Sequence, residues 1–285
     1  MTAQGLAAPA RAWIDGAPAP VRRELYPVRP RPAEVTAVRR LTPRMTRVTL
    51  SSVEFADLPG AAPTDHVKLF FPVGGAELPV MPTVGEHGLV PPPAGTPRSY
   101  RDYTVRRLDR AAGELDVDMV VHGDGLGGRW AARAEVGMRL GVLGPRGSEI
   151  VVDDLAWYLL AGDETALPAI GRWVSELPAG VHATVVVEVA DAGEEQELVS
   201  DAVLDVRWRH RDGAPAGGTT LLEDALAEVA LPPGRGFVWV AGEAGTLRPV
   251  RRALRARPGL DPRCVDVDGY WRRGVVNHDH HAPAE

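Results

Sequence analysis

The chain has 285 residues, 45% of them hydrophobic and 25% charged, with a formal net charge of -6. That is an ordinary globular composition with room for one large domain or two medium ones, and its acidic balance argues against a general nucleic-acid binder. The single cysteine, Cys264, excludes an internal disulfide, a cysteine-held iron–sulfur cluster and a structural zinc, and favours a reducing compartment.

No run of about 18 apolar residues is present, so no membrane span is expected. The N-terminus, MTAQGLAAPARAWIDGAPAP, lacks an uninterrupted apolar stretch and does not read as a secretory signal. The expectation is a cytoplasmic protein with neither membrane nor nucleic acid as partner.

Residues 1–32 are rich in Ala, Pro and Arg without apolar periodicity. They read as a flexible arm with a short helix around Ala12. Order is expected from Ala33. AEVTAVRRLTPRMTRVTLSS alternates apolar and polar residues on either side of Thr42-Pro43 and predicts two antiparallel strands. HVKLFFP predicts another strand, closed by Pro72, and the Gly- and Pro-crowded stretch from Gly74 to Pro97 reads as a long loop. SYRDYTVRRLD, ELDVDMVVHG and MRLGVLG give three more strands. A glycine turn opening a short helix, GLGGRWAARAEVG, lies between the last two. This pattern predicts a six-stranded antiparallel barrel over residues 33–150.

The rhythm changes after Gly147, with a boundary expected between Gly147 and Asp153. WYLLAG, ATVVVEVA, VRWRH, GFVWVAG and VDVDGYW read as strands, and ALPAIGRWVSEL, TTLLEDALAEV and TLRPVRRALRAR as helices between them. Alternation at this spacing predicts a parallel sheet covered by helices over residues 151–276. Residues 277–285 read as a disordered tail. The fold class is therefore a β-barrel followed by a nucleotide-binding-like α/β domain.

Arg101-Asp102-Tyr103-Thr104 sits on one of the barrel strands. Arg101 and Tyr103 point to one face and Thr104 to the other. A guanidinium can grip a phosphate, an aromatic ring can stack on a flat isoalloxazine, and a hydroxyl can donate near its N5. An ordinary strand could carry the same residues, so the motif alone leaves both readings open. It matches the R-x-Y-[ST] signature of the ferredoxin–NADP reductase superfamily, whose barrel-plus-α/β architecture the chain also resembles.

More than one motif agrees. Lys68 in DHVKLFFP, then RDYTVR, DMVVHGDGLGGRWA, GPRGS, AGDETALPAI, GEAGTLRPVRR and GYWRRG together resemble the siderophore-interacting protein family from about Ala33 to Gly274. The resemblance implies that Arg101, Tyr103 and Thr104 hold FAD, and that Val120, Val121 and His122 lie beside its isoalloxazine or ribityl chain. The turn from Gly125 through Gly127 and Gly128 to Trp130 would wrap the pyrophosphate. Glycines opening a helix do aim free N–H groups at an anion. The family's usual Pro-Ala-Ser-x-Trp run is Leu126-Gly127-Gly128-Arg129-Trp130 here, which removes a serine contact and leaves backbone amides in its place.

Where related reductases carry a glycine-rich turn for the nicotinamide nucleotide, this chain has Ala161-Gly162-Asp163-Glu164-Thr165. Asp163 and Glu164 would repel a pyrophosphate. They read equally as helix caps and as neighbours of the flavin, so Asp163 and Thr165 join the expected cofactor residues. The donor is left open among NADPH, NADH and a reduced ferredoxin.

The expected substrate is a ferric siderophore. The resemblance singles out Lys68 and Arg146 as basic residues facing the flavin edge, while a third basic position of some members is Asp266 here. Arg272 and Arg273 are the nearest candidates to compensate, with solvated surface charge as the alternative. His278, His280 and His281 read as part of the tail rather than a metal site, and Cys264 as a buried or incidental thiol.

These features imply an FAD-dependent ferric siderophore reductase, expected to be a monomer. The alternatives are a flavin reductase feeding a partner redox protein and a non-catalytic siderophore-binding module.

Overall fold

The computed structural model describes residues 20–97, 99–123, 125–152 and 155–278. The helix expected around Ala12, and the histidines His280 and His281, lie outside the described residues.

The N-terminal half contains β1 (Val21–Leu25), β2 (Pro30–Thr42), β3 (Met45–Ser51), β4 (His66–Phe70), β5 (Thr83–Gly85), β6 (Gly88–Val90), β7 (Tyr100–Thr104), β8 (Arg107–Asp109), β9 (Glu114–Val120), β10 (Arg139–Leu143) and β11 (Gly147–Val151). Helix α1 (Leu126–Ala131) precedes β10. Seven of these strands form one sheet in the order β7-β4-β10-β2-β3-β9-β8. Its two end strands, β7 and β8, are halves of one chain segment separated only by Val105 and Arg106. The sheet therefore curls back on itself.

Alternating side chains of this sheet, Val35, Val48, Leu50, Val67, Leu69, Leu115 and Val117, fill a core with Phe55 and Trp130. Here the period of two is the cause of the fold, because one face of each strand must be apolar.

Two expectations need correction in this half. Order begins before Ala33, since β1 pairs antiparallel with β11 and β2 starts at Pro30. The paired segments VRREL and GSEIV are short, the first mostly charged and the second opening on polar residues, so apolar periodicity does not reveal them. The stretch read as a loop also contains the β5–β6 hairpin.

The second half contains β12 (Trp157–Asp163), α2 (Leu167–Glu176), β13 (His182–Val189), β14 (Val203–His210), α3 (Leu221–Glu228), β15 (Gly236–Glu243), α4 (Leu247–Ala256) and β16 (Val265–Trp271). The five strands are all parallel, in the order β14-β13-β12-β15-β16. Both β12 and β15 are buried along their whole length, as central parallel strands covered on two faces must be. Leu167, Ile170 and Trp173 of α2 pack on one face of the sheet. Leu222 and Leu226 of α3 pack on the other with Leu247, Val250 and Leu254 of α4. The strand order reverses between β12 and β15, the place where such sheets open a crevice for ligands.

Several hydrogen bonds join the halves. Thr42 Oγ1 donates to Glu194 Oε2 at 2.5 Å, Arg44 N donates to the same oxygen at 3.3 Å, and Arg172 Nη1 donates to Val105 O at 3.1 Å. Among the described residues, no helix is long and apolar enough to cross a membrane.

Candidate functional site

Strands β4 and β7 pair with Lys68 opposite Asp102, Val67 opposite Tyr103 and Leu69 opposite Arg101. Directly opposed residues share a face, so Lys68, Asp102 and Thr104 look one way and Arg101 and Tyr103 the other. Lys68 Nζ donates to both oxygens of Asp102 at 2.8 and 2.9 Å and lies 5.1 Å from the Tyr100 ring centroid. Thr104 is buried. The Tyr103 ring meets Phe71 edge-on at 6.4 Å, and Phe71 packs against Trp130 at 5.5 Å. Burial drives the Tyr103 phenol well above its ordinary range, against the opposing pull of the Arg101 charge.

The glycines of α1 explain why this helix can approach so closely. A Cβ on Gly127 would stand 2.1 Å from Tyr103 Oη. One on Gly125 would stand 2.4 Å from His122 Cε1, and one on Gly128 would stand 2.6 Å from His122 Cδ2. Gly125 is the N-cap, and the absence of side chains brings Gly125 and Gly128 against an imidazole and Gly127 against a phenol. The end of β9 is fixed by Val121 N donating to Arg44 O at 2.8 Å.

A cleft of about 1260 Å³ opens here, walled by Val121, His122, Leu126 and Trp130 and by the loop from Pro72 to Glu77. Arg129, Arg133 and Arg139 also line it. Sequence reasoning missed these arginines, because one cation per helical turn or strand end carries no local signal. The cleft lining fits a flavin dinucleotide: Arg129, Arg133 and Arg139 for a pyrophosphate and the apolar Val121 and Leu126 for a flat ring, with Tyr103 packed beside them on Gly127.

The carboxyl edge of the parallel sheet carries a second group. Asp163 Oδ1 accepts from Thr165 N at 2.9 Å and from Thr165 Oγ1 at 2.5 Å. Its Oδ2 accepts from Trp271 Nε1 at 2.7 Å. Burial, and then the neighbouring Glu164 charge, push the Asp163 carboxyl up to about 6. Glu164 takes Arg211 Nη1 at 2.8 Å and Nη2 at 2.6 Å, and Nη1 also reaches Glu188 Oε1 at 3.3 Å. Glu243 accepts from Thr246 N at 2.7 Å and from Arg273 N at 3.0 Å.

Not every expected site residue meets the others through its side chain. Arg273 touches Glu243 through its main chain, and Arg272 lies exposed in a tight turn bridged to Val275. The exposed Arg146 uses its carbonyl to accept Tyr26 N at 2.9 Å. Arg101 Nη1 donates to Tyr100 O at 2.6 Å and to Asn277 Oδ1 at 3.5 Å, so Asn277, the first residue of the expected tail, touches Arg101; residues 279–285 lie outside the described residues. Val120, at the end of β9, is half-buried. Cys264 is buried, which raises its thiol pKa.

A curled antiparallel sheet with a glycine cradle, followed by a doubly wound parallel sheet, defines the ferredoxin–NADP reductase-like architecture. Residues 34–149 match the siderophore-interacting FAD-binding domain and residues 155–274 the siderophore-interacting protein family. The chain belongs to the siderophore-interacting protein family. It is 48% identical to a siderophore utilization protein from T. fusca, with a TM-score of 0.86 covering 92% of this chain and 100% of that one. It is 32% identical to the NADPH-dependent ferric-chelate reductase of Escherichia coli over 257 residues, or 89% of this chain and 96% of the relative. Ferric vibriobactin reductase ViuB of Vibrio cholerae is 30% identical over 264 residues, or 90% of this chain and 95% of the relative.

Proposed function

We propose that this protein is an FAD-dependent ferric siderophore reductase that takes its electrons from NADPH and works in the cytoplasm. The observation that carries the reading is the seating of Tyr103 against Gly127, on the strand that also presents Arg101 and Thr104, within a family whose first domain binds FAD.

When bound, FAD supplies the conversion of a two-electron donor into one-electron transfers to Fe(III). The protein's part is position and electrostatics. Tyr103 gives the ring system a flat wall, and the α1 glycines give free N–H groups to the phosphates. Arg101 and the cleft arginines supply countercharge. Thr104, buried at the end of the same strand, supplies a hydroxyl to the site. Lys68 and Arg146 attract an anionic ferric chelate. No side chain needs to act as a general acid or base. Siderophore oxygens are hard ligands that hold Fe(III) better than Fe(II), so reduction loosens the complex.

The test is a flavin spectrum of the purified protein, followed by an anaerobic assay with NADPH and several ferric siderophores. Bound flavin that NADPH bleaches and a ferric siderophore restores is the expected result. A colourless protein that refuses FAD, or a reduced flavin indifferent to every ferric chelate, overturns the proposal.

A further inference from the structure

Nucleotides seat at the carboxyl ends of doubly wound sheets, and a guanidinium there is suited to grip a phosphate with two parallel bonds. In this chain that grip is already taken. Arg211 directly follows β14 and is buried. Its Nη1 and Nη2 meet the two oxygens of Glu164 at 2.8 and 2.6 Å, the forked arrangement a phosphate would adopt. Glu188 approaches Nη1 at 3.3 Å and is itself held by Thr219 Oγ1 at 2.8 Å.

The two anions come from the turn before α2 and from the end of β13. The remaining cavity at this edge is about 140 Å³ and is walled by Asp163, Glu188, Glu223 and Glu243. It offers a pyrophosphate neither space nor countercharge. Nε of Arg211 is buried with no hydrogen-bond partner among the described residues.

We propose that Glu164 is a resident anion that occupies Arg211 in place of a dinucleotide phosphate and so sets the affinity of this reductase for its nicotinamide donor. The proposal rests on the reductase reading for the identity of the donor. The donor reaches the flavin with its phosphates outside the sheet edge, and Glu164 is a specificity-determining residue that works by withholding a cation. The pair also keeps a buried arginine neutralised, which any reopening of the site must respect.

The test compares FAD-loaded wild type with Glu164→Gln, Glu188→Gln and the double variant Glu164→Gln/Arg211→Gln. Calorimetric titration with NADP⁺ at low salt reads affinity without turnover. Anaerobic bleaching of the flavin against NADPH concentration reads half-saturation and maximal rate. Glu164→Gln is expected to bind NADP⁺ about tenfold tighter, because one like charge is removed from the path of the donor's phosphates and Arg211 is less neutralised, with the maximal bleaching rate little changed. The gain should shrink with added salt and vanish in the double variant. If melting curves show Glu164→Gln unfolded, Glu188→Gln, which unloads the same arginine from the other side, carries the same expectation. Unchanged or weaker NADP⁺ affinity in a folded single variant, or a gain that survives loss of Arg211, overturns the idea. Oxidation of dithionite-reduced protein by a ferric siderophore is followed separately, so a failure of the reductase reading is seen apart from a failure at Arg211.

Discussion

The indole of Trp271 donates to Asp163 Oδ2 at 2.7 Å, tying the last strand of the parallel sheet to the end of its first. Asp163 is only 7% exposed, and this bond and those from Thr165 do not repay its burial beside Glu164, so its carboxyl is pushed up to about 6. A raised pKa means that the folded protein holds the proton more tightly than the unfolded chain. The stability linked to that proton is present below the ordinary value of 3.8 and is lost as pH rises to about 6. The loss is on the order of 2–3 kcal/mol. Asp163→Asn keeps an acceptor and removes the charge. Melting temperatures from pH 4 to 7 should therefore fall for wild type relative to the variant, with the difference level above about pH 6. Parallel curves would place the titration elsewhere.

The α1 cradle gives a prediction in which two effects oppose. Gly127→Ala gains about 1 kcal/mol of intrinsic helix propensity but sets a methyl 2.1 Å from Tyr103 Oη. The phenol must swing away, and with it the wall proposed for the flavin. FAD affinity, read by fluorescence quenching, should weaken at least about tenfold while the melting temperature of the flavin-free protein moves by only a few degrees. A variant that keeps its flavin shows that the ring is not part of that wall.

These contacts also show where the sequence is informative. The strands β12, β13 and β15 are legible as continuous apolar runs, because burial on both faces dictates their composition. The strands of the curled antiparallel sheet are legible through their alternation. Tyr103 and Gly127 each belong to a recognisable motif, yet their contact spans 24 positions and no local period encodes it. The bond between Glu164 and Arg211 crosses 47 positions and follows from strand order alone. Strands β1 and β11 escape notice because each is only five residues long, β1 being mostly charged and β11 opening on Gly-Ser-Glu, with stability that comes from pairing with the other. Asp163 was legible as a carboxylate in the wrong place for a pyrophosphate, but its bond to Trp271 was not.

Lys68 is held by Asp102 at 2.8 Å while remaining 37% exposed, so its charge is partly cancelled before any substrate arrives. The pair contributes about 0–1 kcal/mol to stability, and neither Lys68→Met nor Asp102→Asn should shift the melting temperature much. Their effects on an anionic ferric chelate should run in opposite directions: affinity falls for Lys68→Met and rises for Asp102→Asn, each by about three- to tenfold at low ionic strength. The flavin spectrum stays intact in both. Loss of flavin from Lys68→Met would reassign the lysine to the cofactor, whereas unchanged chelate affinity in both variants would remove this face of β4 and β7 from the substrate path.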